Sequence, residues 1–332
     1  RKIVASVLAF LMVVSLIPVN SLMTKANAAS KTTFEGGKTV EDGTWKGWTW
    51  NVFGSSTDVT KAFATDTGNG GVTLEVTGDK GKINGSASDQ GLNTFLYELD
   101  KSYDFTITAQ AKVDTLAANA QAAFGLTIRD NVGAHGNTAK LTADKNNFAF
   151  VGGYGNQAAS GHGNAGYKTT ALAHTRLGES PEVGGTYDLA IQKVGDSVKL
   201  YFNGEVAAEC SADDLITDNA MYVGLFAARN AKVTFNNVKL AYTQDSSSVK
   251  VTTNVTAPKK TTYCAGNTYE DVDLTGFKAT VSVDGKEREI TASDCVVDMS
   301  NDPFAEVTDA GKLNLLYLGQ TIEVPITVIK EV

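Results

Sequence analysis

The side chains best suited to acid–base chemistry lie between residues 129 and 185, where regular hydrophobic patterning fails. The segment holds, among many glycines, Arg129, His135, Tyr154, His162, Tyr167, His174 and Arg176. Histidine, tyrosine or arginine can abstract a proton beside a uronate carboxylate when a cation neutralises that acid. No repeated motif fixes their spacing, and the histidines lack the HxH or HxxxH spacing of a metal site. The pattern therefore favours ligand binding, with proton abstraction as the alternative.

Two arginines are candidates for hydrogen bonding to a ligand. Arg129 ends a run in which apolar and polar residues alternate, so it falls on the polar side of a strand, as Tyr201 does in a later run. A guanidinium can donate paired hydrogen bonds to hydroxyls or to a carboxylate. A structural pair with Asp130 is the alternative for Arg129. Arg229 stands in a break at 228–231, where it either stabilises a turn or contacts a ligand at the rim.

All three tryptophans fall in the stretch FEGGKTVEDGTWKGWTWNVF at 34–53. Tryptophan faces stack on sugar rings and bury area without requiring charge, so Trp45 and Trp48 are candidates for a carbohydrate platform. The alternative is an N-terminal strand that anchors itself in the core through its aromatic residues. The predicted ligand-binding set is therefore Trp45, Trp48, Arg129, His135, Tyr154, Tyr167, Arg176 and Arg229.

The elements that must position these side chains are β-strands. Apolar and polar residues alternate at 72–76, 105–113, 124–128, 187–191 and 198–202, which gives each strand one apolar, core-facing side and one polar side. Asn203-Gly204 predicts a hairpin turn. Helical periodicity is limited to 116–121 and 211–216, and we interpret 129–185 as long loops with one short strand at 148–151. Many short strands with glycine-rich turns predict an all-β sandwich or jelly roll.

Composition and charge bound the partners. The 332 residues are 42% hydrophobic and 20% charged, which is ordinary globular composition and enough for two domains. The formal net charge is −8, which argues against nucleic acid and against anionic membranes as partners.

Residues 1–29 have the features of a secretory signal peptide. A basic start is followed by an apolar run to Val19 and by the small-residue sequence Ala26-Asn27-Ala28-Ala29. The apolar run is shorter than the roughly 20 residues that a spanning helix needs, and no later run is long enough. We therefore expect a secreted or cell-surface protein with no membrane span in the mature chain.

The three cysteines are too few for a disulfide framework and have no zinc-site spacing. Cys264 and Cys295 lie in the same half of the chain and either pair or remain free, whereas Cys210 is left over. We expect no cofactor; separated acidic residues could still converge on a structural calcium ion, although no EF-hand ladder is present.

The stretch MYVGLFAARNAKVTFNNVKLAY at 221–242 carries a resemblance to a known family. It reads as two antiparallel strands, and Asn236-Asn237 falls where a bulge would keep Phe235 and Val238 on the core face. The run is similar to the closing strands of concanavalin A-like jelly-roll modules in secreted bacterial polysaccharide-degrading proteins, particularly clostridial pectin-active ones. The resemblance implies a jelly roll over 31–243.

A serine-rich linker at 244–249 precedes a change of composition. From residue 250 the chain shows a tyrosine followed by glycine (TYCAG at 262–266), DLTGF at 273–277 and the turn Asp284-Gly285. These elements resemble bacterial Ig-like domains, which implies a small β-sandwich over 250–332 that acts as a spacer or adhesion unit.

A glucanase of the concanavalin A-like class would need the spacing Glu-x-Asp-x-x-Glu. The nearest match is Glu98-Leu99-Asp100, with Tyr103 in place of the third acid, and Asp100-Lys101 reads as a turn. The sequence therefore predicts an all-β chain, a jelly roll followed by a small sandwich, without the catalytic motif of a glucanase. The two resemblances imply a concanavalin A-like module that is non-catalytic and binds plant cell-wall polysaccharide, with pectin as a candidate, followed by an Ig-like domain. They also imply a Gram-positive bacterium as the source and a place in a larger multidomain or cell-surface assembly. The alternatives are an adhesion protein that uses both sandwiches for protein contacts, and a polysaccharide lyase or glycoside hydrolase.

Overall fold

The computed structural model describes residues 32–54, 57–83, 90–119, 121–142, 146–156, 159–168, 172–177 and 181–331. Within strands, the side chains of 155–156, 159–167, 172–174, 176 and 253 lie outside the described part. The predicted leader at 1–29 also lies outside the described residues. No helix in these ranges is long and apolar enough to cross a membrane.

The chain is built almost entirely of β-strands. In chain order these are β1 (Thr32–Thr33), β2 (Trp48–Phe53), β3 (Ala62–Asp66), β4 (Val72–Val76), β5 (Leu92–Asp100), β6 (Asp104–Leu116), β7 (Ala123–Arg129), β8 (Phe148–Asn156), β9 (Ala159–Lys168), β10 (Leu172–Arg176), β11 (Thr186–Val194), β12 (Ser197–Phe202), β13 (Glu205–Ser211), β14 (Ala220–Ala228), β15 (Ala231–Thr243), β16 (Lys250–Thr256), β17 (Thr262–Cys264), β18 (Lys278–Val283), β19 (Lys286–Thr291), β20 (Val296–Asp298), β21 (Thr308–Tyr317) and β22 (Gln320–Ile329). The described residues include one α-helix, α1, at Ala212–Leu215, and short 3-10 turns at Val59–Lys61, Ser246–Ser248, Tyr269–Asp271 and Ala292–Asp294.

Two antiparallel sheets form a jelly-roll β-sandwich. The first sheet has eight strands in the order β1-β3-β4-β15-β6-β11-β12-β13, and the second has seven in the order β10-β9-β8-β7-β14-β5-β2. Strands distant in sequence pair in both sheets, as β15 does with β6. This arrangement confirms the predicted all-β fold class.

The core lies between the inner faces of these two sheets, because apolar and polar residues alternate along each strand. Its large fully buried side chains include Phe95, Phe105, Phe124 and Phe235. A second, smaller apolar cluster covers the opposite face of the seven-stranded sheet and includes Phe53, Leu92, Phe148, Phe150 and Phe226. That sheet therefore has two apolar faces, and its outer face is also partly buried.

The bulge predicted in β15 is confirmed. The register of β15 against β6 shifts between Asn236 and Lys239, and Asn237 has a φ of 51°. The extra residue keeps Phe235 fully buried and packs Val238 against the same core. An asparagine suits this position because it tolerates the left-handed conformation better than most residues.

The prediction of long loops over 129–185 is wrong. Strand β8 extends beyond the predicted 148–151, and β9 and β10 continue the seven-stranded sheet as antiparallel neighbours. The β9 sequence, ASGHGNAGYK, is rich in glycine and alanine. Small side chains give no hydrophobic alternation, although their backbone groups pair as well as any others.

The helical prediction for 116–121 is also wrong, because Leu116 ends strand β6 and a turn follows. The prediction for 211–216 is confirmed as helix α1. Ser211 is its N-cap, and the Ser211 hydroxyl accepts a hydrogen bond of 3.1 Å from the Asp214 N–H.

The strands after residue 250 form a smaller β-sandwich. Its sheets have the orders β16-β18-β19 and β17-β22-β21-β20, with β17 and β22 parallel. The separate core contains Tyr263, Phe277, Phe304, Leu313 and Tyr317. A two-residue turn at Asp284-Gly285, with φ values of 51° and 73°, joins β18 to β19 as predicted.

The serine-rich segment between the sandwiches is folded against both of them. Ser246 is 9% exposed. Its N–H donates to Asp104 Oδ2 of β6 at 3.4 Å, and its carbonyl accepts from Gln320 Nε2 of β22 at 3.0 Å. The segment that composition marks as a linker therefore connects the two sandwiches by packing as well as by the chain.

Candidate functional site

The two tryptophans predicted to form a sugar platform lie in the core. Trp45 is 4% exposed and Trp48 is 6% exposed. Trp48 stacks on Phe95 at a centroid distance of 5.3 Å, and Trp45 meets both rings edge-on. The platform prediction is wrong for both residues, because β2 directs these rings into the inter-sheet core, where no sugar can reach their faces.

His135 fixes a surface segment to the edge of the seven-stranded sheet. Its Nδ1 accepts a hydrogen bond of 3.2 Å from the Val52 N–H, and its ring meets Trp50 at 5.1 Å. A Cβ at Gly36 would lie 2.1 Å from His135 Nε2, so only glycine allows this approach. Burial lowers the pKa of His135, which favours the neutral imidazole that can accept from Val52.

Arg129 is the central charged residue of the outer face of this sheet. It is fully buried, with its guanidinium 5.5 Å from the Phe53 ring centroid and 5.1 Å from that of Phe148. Its Nε donates to the Asn131 carbonyl at 3.2 Å and its Nη2 to Asn146 Oδ1 at 2.7 Å. Among the described residues Nη1 has no hydrogen-bond partner. Arg129 is therefore held by cation–π contacts and two hydrogen bonds beneath the surface.

Asp130 and Lys168 complete a buried charged cluster beside Arg129. Asp130 accepts hydrogen bonds from the N–H and side-chain amide of Asn147, both at 3.0 Å, and from the Thr217 hydroxyl at 3.2 Å. Lys168 Nζ donates to the carbonyl of Asn146 at 3.2 Å.

The pKa values of the cluster reflect its burial. Burial raises the pKa of Asp130 to about 6, against the opposing effect of the Arg129 charge. Burial lowers the pKa of Arg129 to about 10 and also lowers that of Lys168. With Asp130 ionised, the two cations exceed the single carboxylate by one positive charge.

A cross-strand row, defined as Glu98, Tyr222, Arg129, Phe148 and Lys168, connects this cluster to the solvent. Neighbouring strands β5, β14, β7, β8 and β9 place these residues directly opposite one another. Glu98 is exposed and Tyr222 is partly buried, whereas the other three are buried. Burial, followed by the charges of Glu98 and Asp218, raises the pKa of Tyr222. The accessible end of the row therefore presents a protonated phenol beside a carboxylate.

Tyr222 is a candidate that the sequence analysis did not include. It lies within the apolar run MYVGLFAA of β14, where it reads as one more core residue. Its position becomes evident only from the strand order, which places it between Glu98 and Arg129.

Of the predicted residues between 154 and 176, only Tyr154 has a side chain within the described part. Tyr154 packs on the outer cluster, 6.2 Å from the Phe150 ring. Tyr167 pairs through its backbone with Ala149, and Arg176 with Asn164, but both side chains lie outside the described part. The side chains of His162 and His174 lie there as well.

Arg229 has the turn role that was the alternative to a ligand contact. With Asn230 it forms the two-residue turn from β14 to β15, at φ values of 49° and 42°. Arg229 Nε donates to the Gly81 carbonyl at 3.1 Å. The side chain therefore ties this turn to the segment that precedes β5.

The acidic residue considered for a glucanase mechanism, Asp100, stabilises a turn. Asp100 is the last residue of β5, its Oδ1 accepts a hydrogen bond of 2.9 Å from the Ser102 N–H, and this bond lowers the pKa of Asp100. Within the described ranges no group of three or more histidine, cysteine, aspartate or glutamate side chains could hold a metal ion. Cys210, Cys264 and Cys295 are free thiols.

No family model matches the chain. The chain is 29% identical over 282 residues to pectate lyase L of Thermoclostridium stercorarium, an alignment that covers 84% of this chain and 21% of that enzyme. The chain thus spans about a fifth of the length of this relative.

Solved structures of similar architecture share little sequence with the chain. The carbohydrate-binding module CBM66 from Bacillus subtilis is 18% identical with a TM-score of 0.33, covering 62% of this chain and 98% of the module. Lectin II from Ulex europaeus is 10% identical with a TM-score of 0.38, covering 64% of this chain and 98% of the lectin. Alginate lyase AlyC3 is 10% identical with a TM-score of 0.33, covering 52% of this chain and 75% of the lyase. These likenesses are too weak to assign a function.

Proposed function

We propose that the protein is a secreted, non-catalytic carbohydrate-binding module that targets plant cell-wall polysaccharide, with pectin as the leading candidate. The observation that carries the proposal is the alignment with pectate lyase L, in which 84% of this chain corresponds to only 21% of the enzyme. A segment that makes up a fifth of a polysaccharide-degrading enzyme is what an accessory module would occupy. A jelly-roll sandwich is also a scaffold on which glycan sites are built, although a fold alone does not determine function.

The open end of the cross-strand row is the proposed contact surface. Tyr222 supplies an amphipathic ring that can cover a sugar face while its hydroxyl hydrogen bonds to the ligand. Behind it, the buried cations Arg129 and Lys168 outnumber the Asp130 carboxylate. Their field in a poorly solvated region attracts a carboxylated sugar, whereas the carboxylates of Glu98 and Asp218 near Tyr222 oppose that field. The case for a uronate therefore rests on the alignment with pectate lyase L.

The non-catalytic part of the proposal is supported by the state of Arg129. Its side chain is fully buried and stacked between two phenylalanine rings, so it cannot touch the carboxylate of a bound sugar without rearrangement. Lyase activity remains the alternative that the similarity to pectate lyase L favours. An adhesion role for both sandwiches is a further alternative.

The rest of the proposal concerns context. The sandwich after residue 250 would act as an Ig-like spacer, and the leader at 1–29 would direct the chain out of a Gram-positive bacterium. A structural calcium ion would have to draw acidic ligands from outside the described ranges, within which no group of three or more potential ligands is present.

Affinity electrophoresis and calorimetry against polygalacturonate, methylated pectin, xylan and β-glucan test the proposal. We expect binding to polygalacturonate, and Tyr222→Ala should weaken it about tenfold, equivalent to about 1.4 kcal/mol. Phe63→Ala is the matched control, because Phe63 is 40% exposed on the other sheet. Failure to bind any of these glycans would refute carbohydrate binding and leave the adhesion role. Release of unsaturated products would instead show that the protein is a lyase.

A further inference from the structure

A cleft between the two sandwiches forms a second potential binding site. Its volume is about 450 Å³, within the range of small-ligand sites, which also occur preferentially between domains. One wall is the outer face of the eight-stranded sheet, including Gln110, Tyr201 and Asn203, and the other is the smaller sandwich, including Asp273 and Met299. The cleft is distant in the fold from the cross-strand row, which lies on the other sheet.

Direct contacts hold the two walls of the cleft in place. The Thr108 hydroxyl donates to the Ser293 carbonyl at 2.6 Å, and the Leu318 N–H donates to the Thr106 hydroxyl at 3.2 Å. Ala190, Tyr201 and Val296 are also buried together between the sandwiches. A ligand would therefore meet a site that is already formed, which reduces the entropic cost of binding.

Polar groups in the cleft have unused hydrogen-bonding capacity. Tyr201 lines the cleft, where its hydroxyl makes no hydrogen bond with the described residues and is not fully enclosed by protein atoms. Burial, with the nearby charges of Asp298 and Glu209, raises its pKa to about 12, so the hydroxyl remains a donor. Asn203 uses its Oδ1 to accept from the Asp188 N–H at 2.9 Å, which leaves its Nδ2 free to donate.

The charges of the lining restrict the chemistry of the ligand. The lining contains the carboxylates of Asp188 and Asp273, which are exposed, and no lysine or arginine. A polyuronate would be repelled there, because no cation compensates its carboxylates. Carboxylates, amides and a phenol suit sugar hydroxyls, whereas the partly exposed apolar side chains of Leu274 and Met299 suit the C–H faces of a sugar ring.

We propose that the cleft between the sandwiches binds a neutral oligosaccharide, with the Tyr201 hydroxyl and the Asn203 amide as hydrogen-bond donors to its hydroxyl groups. The site deepens the proposed function and rests on it for the general class of ligand. It adds a second, charge-neutral specificity at a location separate from the row that ends at Tyr222. The protein would thereby contact acidic and neutral glycans at the same time.

Calorimetry of the full-length protein with xylo-, cello- and galacto-oligosaccharides, and in parallel with oligogalacturonides, tests the proposal. Tyr201→Phe removes only the hydroxyl, and Asn203→Asp keeps the turn and its acceptor while removing the amide donor. Each change should weaken binding of the neutral ligand about three- to tenfold, as expected for one lost hydrogen bond. Oligogalacturonide binding should be unchanged. Tyr222→Ala, the matched control, should show the opposite pattern.

The outcomes separate this inference from the proposed function. Neutral ligands that bind wild type and both cleft variants equally would overturn the cleft site. Binding of oligogalacturonides without any binding of neutral ligands would overturn it too, while leaving the proposed function intact. If neither class binds, both proposals fall. Urea unfolding of each variant confirms that a loss of affinity does not come from a loss of folded protein.

Discussion

Replacing Asp130 with asparagine is expected to change how stability depends on pH. Asp130 is 1% exposed, and burial raises the pKa of its carboxyl to about 6. In an unfolded chain an aspartate titrates near a pKa of about 3.9. Because the folded protein binds this proton more tightly than the unfolded chain does, the stabilising contribution of Asp130 is fully present below pH 4. It is lost as the pH rises through 6.

The size of the effect follows from the shift. A difference of about two pKa units corresponds to about 3 kcal/mol. Solvent screening and the hydrogen bonds from Asn147 and Thr217 relieve part of this cost, so we expect about 1–2 kcal/mol to be measured. D130N has no titrating group at this position. Relative to D130N, wild type should therefore lose about 1–2 kcal/mol of unfolding free energy between pH 4 and pH 7.

Urea unfolding followed by tryptophan fluorescence measures this difference, because all three tryptophans are buried. The lowered pKa of His135 gives a slope of opposite sign, but it is present in both proteins and cancels. Asp309→Asn, at an exposed position on β21, is the control and should follow wild type. Parallel pH profiles for wild type and D130N would show that the Asp130 carboxyl is not desolvated, and would refute the reasoning.

Two further changes test the placement of particular residues. Trp48→Ala should lower the unfolding free energy by about 3–5 kcal/mol, as for other buried aromatic deletions, without changing polysaccharide affinity per folded molecule; a selective loss of affinity would return Trp48 to the binding site. Gly125→Ala should be destabilising by more than about 3 kcal/mol, because its Cβ would lie 2.0 Å from the Val151 carbonyl oxygen at a φ of +154°. A Cβ at Gly43 would have no other atom within 4 Å, so Gly43→Ala should lower the unfolding free energy by only about 1 kcal/mol. If urea unfolding showed equal losses for Gly43→Ala and Gly125→Ala, the close approach of β7 to β8 would be contradicted.

Most of the fold could be predicted from the sequence because local chemistry specifies it. The alternation at 105–113 and 124–128 gave strands β6 and β7, and the break in phase at Asn236-Asn237 gave the bulge in β15. Strands β8 to β10 were missed over most of their length. Their glycine and alanine residues carry no hydrophobic period, so only backbone pairing reveals them.

The candidate site was less predictable because it depends on strand order. Trp45 and Trp48 have the right chemistry for sugar stacking, but the direction in which β2 faces its neighbours places them in the core. Arg129 was assigned correctly to the polar side of β7, yet the second apolar cluster covers that side. Tyr222 was overlooked because its neighbours across the sheet, Glu98 and Arg129, are about a hundred residues distant in sequence.

The hydrogen bonds of Ser246 also have a mechanical consequence. The residue is bonded to Asp104 of one sandwich and to Gln320 of the other, so tension applied along the chain reaches both cores through this segment. The serine-rich stretch cannot lengthen until those bonds and the contacts around them break together. Under tension, this segment would therefore transmit force between the two sandwiches as a stiff joint and would not act as a flexible tether.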